Sequence, residues 1–467
     1  MIFWNANGVK KQKTELQHFA EQHKIDIILI NETHLKPSDR FTLANYRTYR
    51  NDGTGWGGTA ILVKYNISHY ETPTPALNTV EATTIVAVID NREVCIASVY
   101  NSPSKPIDTT DIDKLLDIKP SAILAGDLNA KHNNWNSKTA NTRGNKLNRH
   151  CARRGYVIAA PTEPTHFVGN SSDVLDIAII KDINANPELH SLAELNSDHN
   201  PVLLTLHSLQ SPNFDATQPR LIRKTDWESY TADVEEHTKL TRHIKTCQEL
   251  DHTIETLTEQ IKQCYARHTT TRPSQIHYQR IPKEILDKIH TKNRIRKIWQ
   301  KYKQPRIKTL LNKLTKDIKS DLEKHRDESW RDTTIELATH DKSLYHCARR
   351  LCNSTRPKNA TVLKIDNQVI TDPAGQAEAY ADSLQSQFQP NPATNPIVNA
   401  HIEEQVDTYL DTQATSLPIL VTPKEIATEI SRLKRNKAPG DDDVTHAMLK
   451  HLGKKSTIAL ANIFNTI

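Results

Sequence analysis

The 467-residue chain predicts an α/β fold in its first two hundred residues, followed by a mainly α-helical, basic region. Three observations carry this. Apolar runs of strand length recur at 25–30, 59–63, 94–100, 121–126, 156–159, 174–180 and 201–206. Helical stretches at Lys11–His23, Asp111–Asp117 and Gly144–Arg154 lie between them, the alternation of a layered α/β domain. From Thr225 onward the pattern is helical and polar, and positive charge gathers in one later stretch.

The elements place polar groups at strand ends. The first strand, Ile2-Phe3-Trp4-Asn5, runs into the turn Ala6-Asn7-Gly8. The second is followed by Glu32, which as an isolated carboxylate would read as a helix cap or a solvated loop charge. The Gly55-Trp56-Gly57-Gly58 turn leads into a third strand, and Trp56 could stack on a base or simply pack. Tyr100 closes the strand that begins at Val94. The apolar run Ser121–Ala125 ends on Gly126-Asp127-Leu128-Asn129. Residues two apart on an extended segment point the same way, so Asp127 and Asn129 can face one reacting group. A carboxylate can take a proton from water, and an amide can donate to a phosphoryl oxygen; the same four residues are also ordinary turn chemistry. Asp176 interrupts the apolar strand 174–180, so it must be paired or hydrogen-bonded, and a histidine is its natural partner. Asp198-His199 precedes the strand at 201–206.

In this order the strings Trp4-Asn5, Asn31-Glu32-Thr33-His34, Val99-Tyr100, Gly126-Asp127-Leu128-Asn129-Ala130-Lys131-His132, Leu175-Asp176-Ile177 and Ser197-Asp198-His199-Asn200-Pro201 resemble the endonuclease/exonuclease/phosphatase superfamily. Within it they look most like the apurinic-type endonucleases of jockey-like non-LTR retrotransposons. The resemblance spans roughly residues 1–207 and implies a four-layer α/β sandwich, two mixed β-sheets flanked by helices. It implies that Glu32, Asn5 and Asp198 belong to a metal site, with Glu32 the principal ligand. It makes Asp127 the water-activating group, Asn129 a stabiliser of the transition state and Tyr100 a contact to the scissile phosphate. His199, oriented by Asp176, would bind the phosphate or act as acid/base. Many repair-type relatives carry an acidic residue where this chain has Asn7, which removes one carboxylate from the metal site.

The composition agrees with phosphodiester hydrolysis. Mg²⁺, with Mn²⁺ as the alternative, prefers carboxylate and amide oxygens of the kind Glu32 and Asn5 offer. No serine or cysteine is set up as a covalent nucleophile. The six cysteines (95, 151, 247, 264, 347, 352) form no Cys-x-x-Cys pair, which argues against zinc and a disulfide framework. The mean hydropathy is −0.63 and no apolar stretch approaches a membrane span, so no membrane partner is expected.

Charge is unevenly spread. Residues 1–207 carry 21 Lys/Arg against 22 Asp/Glu, whereas residues 280–331 carry 17 against 7. Apolar positions 285, 289, 295 and 298–299, then 307, 310, 311, 314, 318 and 322, predict two helices broken at Gln304-Pro305. This helical hairpin would be basic on its solvent face, and Lys292, Arg294, Arg296, Lys297, Lys301 and Lys303 are its nucleic-acid-binding candidates. A solvated charged face on a packed helix pair is the competing reading.

The expected organisation is an endonuclease-like domain at 1–207, a linker at 208–225, a helical basic connector at 226–388 and an irregular segment at 389–420. From 421 to 467, Thr422-Pro423-Lys424-Glu425 opens a helix and Lys437-Ala438-Pro439-Gly440-Asp441 follows, a pattern similar to the start of the reverse transcriptase region of the same elements. Asp441-Asp442-Asp443 lies in a Gly/Pro turn and reads as a cap or solvated loop. Both ends look cut, as in a fragment of a longer reading frame, and no polymerase activity is expected. The implied function is a metal-dependent endonuclease nicking target DNA for reverse transcription, with DNA as substrate, retrotransposon RNA as a further partner and the nucleus or cytoplasm as location. The alternatives are an abasic-site repair endonuclease or other phosphoesterase, and an inactive nucleic-acid-binding remnant.

Overall fold

Two facing sheets dominate the N-terminal part of the computed structural model. The structure describes residues 1–467 except 54, 91, 185, 208–220, 241–243, 274–280, 336, 338–342, 353–362, 366–367, 371–372, 390–394, 412–419, 435–436 and 467. In chain order the first elements are β1 (Ile2–Asn5), α1 (Lys13–Gln22), β2 (Ile27–Asn31), β3 (Tyr46–Asn51), β4 (Thr59–Lys64), β5 (His69–Glu71), β6 (Glu81–Ile89) and β7 (Arg92–Tyr100). They are followed by α2 (Thr109–Leu116), β8 (Ser121–Asp127), α3 (Thr142–Arg154), β9 (Val157–Ala159), β10 (His166–Val168), β11 (Ser171–Asp173), β12 (Asp176–Lys181), β13 (Asn186–Ser191) and β14 (Val202–His207).

One sheet has the order β13-β14-β1-β2-β4-β3 and the other β5-β6-β7-β8-β12-β9. Both are mixed: β1–β2 and β7–β8 are parallel, while β1–β14 and β8–β12 are antiparallel. Strand alternation sorts each apolar run into two cores. Phe3, Leu29, Ile61, Ile96, Ile123 and Ala178 pack between the sheets. Their neighbours Trp4, Ile28 and Ile30 pack against α1, and Leu124 and Ile179 against the α2–α3 side. The result is the expected four-layer sandwich.

This alternation positions the site. Counting in twos from Phe3, Leu29, Ile96, Ala125 and Ala178, the residues Asn5, Asn31, Tyr100, Asp127 and Asp176 share the inter-sheet face. They lie where the strands run out, so polar groups of both sheets meet at one end of the sandwich. Gly126 makes the approach possible: a β-carbon there would lie 2.0 Å from the Val99 carbonyl oxygen.

By contact clustering the chain forms two compact units, 1–214 with 276–388, and 215–275 with 389–467. The expected connector at 226–388 is therefore divided between them. The first unit includes the predicted hairpin, α4 (Lys283–Tyr302) and α5 (Pro305–Ile335). Its seam joins Ile285, Ile289, Leu314, Ile318 and Leu322.

In the second unit the strand pair Leu221–Thr225 and Thr269–Pro273 accompanies helices Trp227–His237 and Cys247–Arg267. Tyr230, Val234, Leu257 and Ile261 pack with Val444, Met448, Ala459 and Ile463 of the C-terminal segment. Thr422 caps Pro423–Arg432 in a reciprocal capping box with Glu425. Most of the expected linker, 208–220, lies outside the described residues.

Candidate active site

Asp127 is at the centre. It is buried at the end of β8, and Asp176 stands directly opposite it in the antiparallel β8–β12 register. Asn5 donates from Nδ2 to Glu32 Oε1 at 3.0 Å and to Asp127 Oδ2 at 3.0 Å, crossing the gap between the sheets. The Asp127 backbone N–H donates to Asn31 Oδ1 at 3.1 Å, and Asn31 donates to Ser98 Oγ at 3.1 Å. The Asn129 N–H closes onto Asp127 Oδ1 at 3.0 Å, and the Asn129 amide donates to the Asn101 carbonyl at 3.0 Å. Asn129 has a positive φ of 47°, the left-handed backbone that asparagine tolerates.

The histidine lies across from it. His199 is buried between two carboxylates, with Nδ1 at 2.7 Å from Asp176 Oδ2 and Nε2 at 3.6 Å from Asp127 Oδ2. Burial by itself would keep the ring neutral, but Asp176 first, then Asp127 and Asp198, raise its pKa to about 10. The ring is therefore an imidazolium at neutral pH, a hydrogen-bond donor to anions. Burial pushes the Asp127 carboxyl up to about 6, and the opposing His199 charge offsets part of this. Two further hydrogen bonds fix the histidine backbone: Trp4 Nε1 donates to the His199 carbonyl at 3.2 Å, and Ser197 Oγ accepts the His199 N–H at 3.2 Å.

Glu32 and Tyr100 complete one wall. Glu32 has a positive φ of 47° and lies 3.7 Å from His34 Nε2. Burial and then the Glu32 charge raise the Tyr100 phenol well above its usual pKa, so it remains a neutral donor hydrogen-bonded to Glu32. Trp56 is 82% exposed, its ring edge-on to His34 with centroids 5.4 Å apart. It is thus available for stacking beside the site.

Asp198 occupies a different pocket. Its Oδ1 accepts from Ser197 Oγ at 3.0 Å and Asn7 Nδ2 at 3.3 Å, while Oδ2 lies 3.7 Å from His166 Nε2. Burial pushes its pKa up, but His166, the His199 charge, Ser197 and Asn7 together hold it below the usual carboxylate range.

The expected metal ligands therefore separate. Asn5 joins the two carboxylates with its nitrogen, and its Oδ1 accepts from the Asn7 N–H at 3.1 Å. Glu32, hard, anionic and part-exposed at the site mouth, fits a divalent cation. A second grouping, His166, Asp198 and His199, brings ligand atoms within 4.8 Å of one another. A protonated His199 suits an anion there better than a cation.

Asn31, Asn101 and His166 were missing from the sequence-based set. Asn31 had a signal in its inter-sheet parity with Ile27 and Leu29; His166 had none, because the short β10–β11 hairpin brings it in. A β-bridge pairs it with His199, and the two rings lie 4.4 Å apart.

The basic candidates also divide. Arg294, Lys297 and Lys301 are exposed, and Lys303 is half-buried. Lys292 and Arg296 are buried, which corrects the expectation that they face nucleic acid. The Lys292 ammonium pairs with Glu15 of α1. Arg296 donates to the Ser197 carbonyl at 2.6 Å and to Asn200 Oδ1 at 3.0 and 3.2 Å. The hairpin is thus packed against the sandwich beneath the Ser197–Asn200 turn.

Residues 2–199 match the endonuclease/exonuclease/phosphatase family. This part of the chain belongs to that family. Over its whole length the chain is 30% identical to a probable RNA-directed DNA polymerase from transposon X-element of Drosophila melanogaster, covering 100% of this chain and 52% of that protein. It is 26% identical to the RNA-directed DNA polymerase from mobile element jockey of Drosophila funebris, covering 99% of this chain and 52% of the relative. The chain thus spans about half the length of these relatives. Among solved structures it is similar to the endonuclease domain of TRAS1, a telomere-specific non-LTR retrotransposon, at 21% identity and a TM-score of 0.39, covering 45% of this chain and 98% of that one. Among the described residues no helix is long and apolar enough to cross a membrane.

Proposed function

We propose that the N-terminal unit is a divalent-metal-dependent DNA endonuclease that nicks target DNA to prime reverse transcription. The observation that carries this reading is the chain of contacts Glu32–Asn5–Asp127, with His199–Asp176 opposite, closed within one end of the sandwich. Asp127, once ionised, accepts a proton from the attacking water. His199, charged and held in one orientation by Asp176, donates to a non-bridging phosphoryl oxygen. Tyr100, kept neutral, donates a further hydrogen bond at the same mouth. Asn129 fixes the Asp127 carboxylate through its backbone N–H and the 128–129 turn through its side chain. Glu32 would hold Mg²⁺ or Mn²⁺, which when bound supplies charge neutralisation on the phosphate and the departing oxygen. DNA is the substrate in this reading and retrotransposon RNA a further partner, with the nucleus as the place of action on chromosomal DNA.

The test is nicking of supercoiled plasmid by the full chain with Mg²⁺ or with chelator, beside the Glu32→Gln variant. Nicking that needs the cation and is lost in the variant supports the assignment. Undiminished nicking by Glu32→Gln removes Glu32 from the metal site.

A further inference from the structure

A group of positive charges gathers beside the catalytic histidine, on the rings of Phe167 and Trp299. The Lys303 ammonium, at the end of α4, is shielded from solvent and has no hydrogen-bond acceptor. It rests over two rings, 4.4 Å from the Phe167 centroid and 4.6 Å from that of Trp299. On the Trp299 ring also sits the ammonium of Lys308, at 4.0 Å. Burial first, and then the charges of Lys138 and Lys308, lower the Lys303 pKa; burial and Arg296 do the same for Lys308, with the Asp198 charge opposing them in part. Like charges held this close, one of them out of water, leave an unmet demand for an anion.

The place of the group suggests which anion. Phe167 follows His166, and its N–H donates to the Asp198 carbonyl at 2.9 Å, so the aromatic floor of the lysines continues into the Asp198–His199 turn. A cleft of about 480 Å³ runs from Asn7, His34 and Asp198 to Trp299, Lys308 and Lys319 of the hairpin. That volume lies within the usual range for a bound small molecule, so nucleotide-sized groups fit. One end of the cleft is the catalytic turn and the other is cationic.

We propose that this cleft is a DNA-backbone site, in which Lys308 and Lys319 bind phosphates of the strand flanking the scissile bond. The proposal rests on the endonuclease reading and adds to it a wall built by the hairpin rather than by the sandwich. The Trp299 ring holds the Lys308 ammonium in place by a cation–π contact at the wall of the cleft.

The experiment uses the full chain and a 30-base-pair duplex, with binding followed by fluorescence anisotropy across a salt series. Each phosphate contact contributes about 0.9 to the slope of log K against log salt. Lys308→Gln and Lys319→Gln should each flatten the slope by about that amount, and the double variant by about 1.8. Lys308→Arg and Lys319→Arg should restore it, which separates lost charge from lost fold. On plasmid, the glutamine variants should raise KM and leave kcat nearly unchanged, while hydrolysis of bis-p-nitrophenyl phosphate stays at the wild-type rate. A wild-type slope in the double variant overturns the proposal. A larger loss for single-stranded RNA than for duplex DNA also overturns it, and assigns the cleft to RNA. If the wild-type chain hydrolyses neither substrate, the endonuclease reading fails, and the slopes still decide whether the cleft binds a nucleic-acid backbone.

Discussion

Replacing Arg296 with methionine isolates the part the helical hairpin plays in the nuclease. The guanidinium is 5% exposed and donates to Ser197 and Asn200, with a longer contact of 3.4 Å to the His199 carbonyl. Methionine preserves much of the stem and removes every donor. Hydrogen bonds from a charged group are worth about 1.5–3 kcal/mol each, and a buried acceptor left unmet costs about 1–3 kcal/mol. Gln300 still donates to Asn200 Oδ1 at 2.7 Å, so the uncompensated loss centres on Ser197 and part of Asn200. The sum comes to about 3–5 kcal/mol, the range seen when one partner of a buried charged network is removed. The loss should appear in the urea midpoint of the N-terminal unit, together with a lower kcat for nicking, because the same turn carries Asp198 and His199. Destabilisation below about 1 kcal/mol with unchanged kcat would refute the view that the hairpin supports the site. The same reasoning predicts that a fragment ending at residue 207 is less stable than the full chain, since Glu15 loses its Lys292 partner.

Further outcomes follow from the same geometry. Asp127→Ala and His199→Ala should each slow nicking by about a hundredfold or more, whereas Asp176→Asn should cost less because Asp176 orients rather than reacts; a harmless Asp176→Asn would dissolve the proposed pairing. The nicking rate should rise with pH as Asp127 ionises near pH 6 and fall as His199 loses its proton near pH 10, and a flat profile between pH 5 and 11 would contradict both roles. In stability terms, the raised His199 pKa contributes below its unfolded value near 6.5 and is lost as pH rises through about 10, which urea midpoints at pH 7 and 10.5 would show. Gly126→Ala should destabilise the first unit strongly, since its methyl meets the Val99 carbonyl; a variant with the wild-type midpoint would show that β7 and β8 can part without penalty.

The central strands β1, β2, β7, β8 and β12 were legible because their middles are buried on both faces, so each carries an apolar run. Edge strands left a fainter trace. β3 has only Tyr46 and Tyr49, one toward each core, among charged and polar residues, and β13 is a polar edge strand containing Pro187. β6 opens with Glu81-Ala82-Thr83-Thr84, whose hydroxyls are satisfied inside, Thr83 by Thr59 at 2.7 Å and Thr84 by Thr74 at 3.0 Å. At the site, motif order brought Asn5, Glu32, Asp127, Asp176 and His199 to attention, but not the scaffold between them. The misread hairpin is the instructive case. Ile285, Ile289, Lys292, Arg296 and Trp299 repeat at 4-3-4-3 spacing, so two cations occupy the buried stripe. Read by charge they suggest a solvent face. Read by position they announce a buried partner, which the structure supplies as Glu15 and the Ser197–Asn200 turn.

The most direct test of the account is nicking of supercoiled plasmid by the full chain in Mg²⁺, with Asp127→Ala alongside and the nicked strand then offered to a DNA polymerase. The account predicts a single-strand nick whose end is extended without repair, as priming requires a 3′-hydroxyl, and almost no product from the variant. Nicking that persists in Asp127→Ala, or ends that cannot be extended, would contradict it.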